Sequence, residues 1–137
     1  MQAKQKEGAP ATQALPTMEA DSPVDAEALT RAALEMMGHA DEAVRRAGSA
    51  VLDALRAHTY VREQLLRTAA NVARRVEELQ RSVQKYGRPS NELGALQGSG
   101  PELDRLCGEY ARTREALTRL VRMANALFEA TVQAATD

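Results

Sequence analysis

The 137-residue sequence has no tryptophan, one phenylalanine and three tyrosines, so a core has to be assembled from alanine, valine, leucine and methionine. Such a set packs thin layers and offers few of the aromatic platforms on which nucleobases stack. Cysteine occurs once, at Cys107. That excludes an intramolecular disulfide and a cysteine-based zinc cluster, and Cys107 is expected as a small apolar residue on a packed helix face. No stretch approaches the roughly 18 apolar residues of a membrane span, and no basic flank precedes an apolar run of the secretory kind. A cytosolic or nuclear protein is the expectation.

The net charge is only -1, but the charges are segregated. Residues 1–42 carry three basic and eight acidic side chains, residues 43–86 nine and four, and residues 87–137 six and seven. Fifteen of the eighteen basic residues are arginine, whose planar fork suits ion pairs with carboxylates at interfaces. Residues 1–22, MQAKQKEGAPATQALPTMEADS, have Leu15 and Met18 as their only large apolar residues after Met1. Such a segment buries too little to offset the entropy of ordering it, and a disordered tail is expected.

Beyond the tail the pattern is all-α. Ser22-Pro23-Val24-Asp25 reads as a helix start, with serine as cap and proline at the first helical position. Ala33, Met37, Ala40, Val44, Ala47, Val51 and Ala54 then recur at alternating steps of four and three, the narrow seam of a coiled-coil-like bundle. Leu29, Met36, Leu52 and Leu55 broaden it. His58 falls on the next seam position, which predicts a break near residues 57–60. The period resumes in Leu65, Ala69, Val72, Val76, Leu79, Val83 and Tyr86, closed by Gly87 in a left-handed position with Pro89 behind it. Residues 23–86 therefore read as a helical hairpin. Residues 87–100, with four glycines and one proline, read as a flexible linker, and Ser99-Gly100-Pro101-Glu102 as a capping box for a long C-terminal helix over 101–135. The last seam runs Leu103, Leu106, Tyr110, Thr113, Leu117, Leu120, Ala124, Leu127 and Thr131, with Val121 and Phe128 beside it. The fold class is an elongated helical bundle.

Chemistry-bearing constellations are scarce. Glu35, His39 and Glu42 share one face if the first helix is continuous, but a di-iron bundle site needs the Glu-x-x-His spacing twice, and neither copy is present. His58 has no carboxylate at helical spacing, and no serine or cysteine pairs with either histidine, so no enzyme is expected. Nor is a cofactor or a metal. GALQGSG lacks the lysine and hydroxyl of a phosphate loop. The basic centre has no aromatic interleaving and no compact recognition motif, which argues against nucleic acid, and seams poor in large residues argue against a membrane surface.

Slim seams point instead to a missing neighbour. The run Ala47-Gly48-Ser49-Ala50 lets another helix come close, and that helix is expected in a second protein. The helix order, with AVRRAGSAVLDALRAH in the first helix, RTAANVARRVEELQRSVQKYG in the second and EYARTREALTRLVRMANALFEA in the last, resembles the subunit-eleven family of the Mediator coactivator over about residues 28–130. The resemblance rests on the Ala47-Gly48 pair and on Val76-Glu77-Glu78-Leu79 downstream of it. It implies a non-enzymatic nuclear subunit of the Mediator head module, acting in RNA polymerase II transcription. Its hairpin would pair with one from subunit twenty-two in a four-helix bundle that joins a larger scaffold subunit. The interface residues so implied are Val44, Ala47, Val51 and Leu55 on one helix and Val72, Val76, Leu79 and Val83 on the other. The seams themselves add Gly48 and Leu65, and on the last helix Leu106, Tyr110, Leu117, Leu120 and Leu127. Two further classes fit a small, helical, aromatic-poor chain. One is a bacterial secretion chaperone or needle-type filament subunit, with a turn like Pro89-Ser90-Asn91; the other is a vesicle-tethering bundle subunit.

Overall fold

A computed structural model describes residues 14–18, 23–88 and 92–136. Among them are three helices and no strand: α1 (Ala26–Met37), α2 (Glu42–Tyr86) and α3 (Glu92–Thr136). The all-α expectation holds, with different punctuation. Of the expected disordered tail, residues 1–13 and 19–22 lie outside the described residues, whereas Leu15 is buried in a core. Ser22 also lies outside them, and the cap of α1 is Asp25, whose carboxylate accepts from the Ala28 N–H at 3.0 Å. Pro23 precedes the helix rather than opening it.

The first interruption comes at residues 38–41, not at 57–60. Gly38 ends α1, its N–H bonded to the Glu35 carbonyl. Asp41 starts α2 by accepting from the N–H groups of Ala43 and Val44 at 2.8 and 3.3 Å. Arg45 closes the turn, donating through Nη1 to the carbonyls of His39 and Ala40. Short polar side chains that satisfy the free N–H groups of a helix start are strong signals, and here they outweigh a seam that reads straight through. Met37 and Ala40, placed on that seam, are exposed.

At residues 57–60 α2 is unbroken, because His58 is a core residue rather than an interruption. It is 1% exposed, and its Nδ1 lies 2.9 Å from the Thr113 hydroxyl on α3. A buried polar pair of this kind fixes the register of two helices. The expected linker is largely helix as well: α3 begins at Glu92 and runs through Gly94, Gly98, Gly100 and Pro101. A proline inside a helix costs about 3 kcal/mol and each glycine about 1 kcal/mol against alanine. Burial of Leu106 and partial burial of Leu96 and Leu103, at steps of seven and three residues, offset that cost. The capping box does not form, since α3 is already under way at Ser99 and the Glu102 carboxylate accepts from Arg105. Gly87 does take the left-handed position, with φ of 73° and its N–H on the Val83 carbonyl at 2.8 Å. Pro89, Ser90 and Asn91 lie outside the described residues.

The chain divides into two units, one of Met1–Thr59 with Thr113–Asp137 and the other of Tyr60–Arg112. Unit one is a three-helix bundle. Its core takes Leu29, Ala33 and Met36 from α1, Val44, Val51, Leu52 and Leu55 from α2, Leu117, Val121, Ala124 and Phe128 from α3, and Leu15 from the segment before α1. On α2 the buried line is Val44, Gly48, Val51, Leu55 and His58, one position round from the seam read through Ala47 and Ala54. On α3 the buried Val121 and Phe128 were only flanking residues of the expected seam. Each helix has two neighbours here, and a helix so placed buries a wider arc than a coiled-coil seam.

Gly48 decides the packing of α1. A Cβ there would stand 2.8 Å from the Ala33 carbonyl oxygen and 2.9 Å from the Met36 Cβ. The helix that needs the close approach is thus the chain's own α1, not one from a second protein. Unit two is a helical hairpin of the remaining parts of α2 and α3, and among its described residues only Val61 and Leu106 are buried. Gly98 in this unit has nothing within 4 Å of an added Cβ.

The two glycines should respond oppositely to alanine. Gly48→Ala is expected to destabilise by about 1–2 kcal/mol net, because the rigid carbonyl cannot give way, and Gly98→Ala to stabilise by about 0.5–1 kcal/mol. Urea denaturation followed by circular dichroism measures both. Equal effects at the two sites would rule out the close contact. Leu117, fully buried, should tolerate aspartate far less than the half-buried Leu79, with a cost above about 2 kcal/mol at Leu117.

Candidate interaction surface

The residues marked in the sequence as a partner interface separate into three groups. Val44, Gly48, Val51, Leu55 and Leu117 are buried inside unit one, with Ala47, Leu120 and Leu127 partly buried against the same core. They are occupied by the chain itself. In unit two, Leu106 is buried and Leu65, Val72, Leu79 and Tyr110 are half-buried. Val76 and Val83 are exposed, at 37% and 44%.

The exposure pattern along α2 in unit two explains this division. Residues at least partly buried include a line of Val61, Leu65, Thr68, Val72, Arg75, Leu79 and Ser82, at steps of four and three, with Gln64 and Glu78 beside it. They answer a line on α3 of Leu96, Ser99, Leu103, Leu106 and Tyr110 with the same steps. Every second position of the α2 line is therefore polar after Val61, and the hairpin is thinly packed. Beside it on α2 lies a second row of the same period, Leu66, Ala69, Ala73, Val76 and Val83, all exposed. Leu65, Val72 and Leu79 form a spine between the closed flank and the open one. Reading Ala69, Val76 and Val83 as one seam with that spine is correct for spacing, but these three residues face outward. Leu66, the most exposed of the row's large residues at 53%, was not singled out in the sequence, although its spacing to Ala69 and Ala73 carried the signal.

The charges beside this surface are unequal. Residues 60–88 hold seven basic and three acidic side chains. Arg74 pairs with Glu78 at 3.6 Å, an exposed contact of small energetic weight. On α3, Arg105 is held between two carboxylates, its Nη2 donating to Glu102 at 2.8 Å and its Nη1 to Glu109 at 2.7 Å. The hydrogen bond from Arg105 is the main reason the Glu102 carboxyl sits below the usual carboxylate range. Cys107, expected on a packed face, is exposed.

The two histidines are placed differently. His58 is enclosed beside Thr113, and His39 lies in the turn before α2, its Nδ1 accepting from the Asp41 N–H and its ring edge-on to Phe128 with centroids 6.0 Å apart. Because α1 stops before His39, Glu35, His39 and Glu42 do not share a helix face. Among the described residues no group of three or more His, Cys, Asp or Glu side chains is placed to hold a metal ion, and no helix is long and apolar enough to cross a membrane. In class the molecule is a helical bundle with one closed unit and one open hairpin. No family model, curated protein or solved structure matches the chain.

Removing the guanidinium should be visible by titration. In Arg105→Ala the Glu102 carboxyl is expected to move up toward its ordinary value, read by carbon-detected NMR. Since the folded value is the lowered one, what the pair contributes to stability is present above the ordinary glutamate range and is lost as pH falls through the lowered value. A Glu102 titration unchanged by the substitution would contradict the contact.

Proposed function

We propose that the chain is a non-enzymatic interaction subunit whose hairpin, residues 60–112, completes a four-helix bundle with a helical partner. The observation that supports this is the second apolar row on α2, Leu66, Ala69, Ala73, Val76 and Val83, exposed alongside a hairpin that buries only Val61 and Leu106 among its described residues. Full burial of a valine or leucine side chain is worth about 1.5–3 kcal/mol. A partner covering this row therefore supplies stabilisation to the part of α3 weakened by Gly94, Gly98, Gly100 and Pro101. With seven basic side chains against three acidic over residues 60–88, the complementary surface is apolar with acidic flanks. The finer reading, a nuclear Mediator head subunit paired with subunit twenty-two in RNA polymerase II transcription, has the sequence resemblance as its support. The interface then belongs to the second helix's Val72, Val76, Leu79 and Val83, since Val44, Val51 and Leu55 are already covered.

Val76→Asp with Val83→Asp separates folding from association. The double variant is expected to stay within about 0.5 kcal/mol of the parent in denaturation, as exposed substitutions do. It should also fail to co-purify with a subunit-twenty-two-type hairpin that the parent retains at equal stoichiometry. Sedimentation that grows with concentration would favour a filament subunit instead. Amide exchange in residues 60–112 as slow as in unit one, with no partner present, would overturn the open-hairpin reading altogether.

A further inference from the structure

Residues Ala14–Met18 lie on unit one in the manner of a bound peptide. The Asn125 side chain of α3 takes both backbone groups of Leu15: its Oδ1 accepts from the N–H at 2.7 Å and its Nδ2 donates to the carbonyl at 3.1 Å. This two-point grip reads an extended backbone and is indifferent to the side chain. The side chain is read separately, for Leu15 is 2% exposed and belongs to the core cluster. Three residues on, Met18 Sδ lies 4.0 Å from the Thr118 hydroxyl oxygen, seven residues back along α3, the hydroxyl proton going to the Arg114 carbonyl at 2.9 Å.

Those two contacts fix the conformation. Three extended residues advance about 10 Å, and seven helical residues advance about 10.5 Å, so the segment runs stretched out and antiparallel to α3. Pro16 favours this, since the residue before a proline is pushed out of the helical region, and it removes an N–H that would need a partner. Beside Met18 remains a cavity of about 50 Å³, lined by Pro16, Thr17, Pro23, Leu29 and Arg114 among others, between α1 and α3. The leucine pocket is filled, and the position after it has room to spare.

We propose that this groove is a peptide-docking site for an extended segment in which leucine is followed by proline, that Leu15–Met18 is its tethered resident, and that a partner protein's segment of the same chemistry competes for it. Only Glu19–Ser22 separate Met18 from Pro23, so the resident acts at an effective concentration in the millimolar range. The site is closed by default and opens to a competitor when the resident is weakened. This inference concerns unit one and does not depend on the hairpin of unit two.

The probe is a fluorescein-labelled peptide of sequence ATQALPTMEA, added to the full chain and followed by anisotropy. Leu15→Asp disables the resident, and that chain is expected to bind the peptide at least tenfold more tightly than the parent. Adding Asn125→Ala should cost tenfold or more, and a peptide with its own leucine changed to aspartate should not bind. A folded Leu15→Asp chain that takes the peptide no better than the parent overturns the proposal, as does binding indifferent to Asn125. Should Leu15→Asp not fold, as judged by circular dichroism, the parent chain is cut at a protease site placed within residues 19–22. The freed N-terminal piece is then expected to exchange with labelled peptide. A piece that resists exchange, or leaves without the peptide entering, overturns the proposal equally.

Discussion

Unit one is organised by the distance between α1 and α2 at Gly48. With the Ala33 carbonyl 2.8 Å from where a Cβ would stand, the two helices meet backbone to backbone, and that contact sets where Leu29, Ala33 and Met36 enter the core. Dispersion falls off steeply with separation, so a helix made of small residues gains from packing only at such close range. Once α1 is placed, α3 has a surface to close against. The groove that receives Leu15 exists because α1 and α3 are then fixed side by side.

Unit two lacks such a contact. Its two helices meet through lines in which Thr68, Arg75 and Ser82 alternate with apolar residues on one side and Ser99 interrupts the other. Its half of α3 also carries the proline and all four glycines of that helix. Local opening is cheapest where buried apolar contacts are few and helix propensity is low. The division of labour follows: one unit supplies a settled fold, and the other keeps apolar surface in hand.

The sequence carried the periods but not the assignments. Steps of four and three recovered Val44, Val51, Leu106, Leu117 and Ala124 as buried, yet the same steps could not tell an inward row from an outward one next to it, as with Leu65 and Val72 against Ala69 and Val76. That choice depends on how many neighbours a helix has. The break at residues 38–41 was legible in Gly38 and Asp41, and the uninterrupted seam obscured it. His58 was misread because its partner, Thr113, is 55 residues away. The helix through Gly98 and Pro101 was misread because local propensity lost to the burial of Leu103 and Leu106. Leu15 and Met18 stood out as the tail's only large apolar residues after Met1, but nothing local pointed to Asn125.

The contact between Leu15 and Asn125 spans 110 residues, and the core of unit one draws on both an early stretch of the chain, Met1–Thr59, and a late one, Thr113–Asp137. The hairpin between them is made of near neighbours in sequence. Local pairings form fast and distant ones wait on loop closure. On the ribosome, therefore, the α1–α2 contact at Gly48 and the hairpin can form early, while Leu29, Met36 and Val51 stay only partly shielded until the last part of α3 has been synthesised. Nascent chains halted before α3 would be clients for chaperones, although the finished bundle seals those same side chains away.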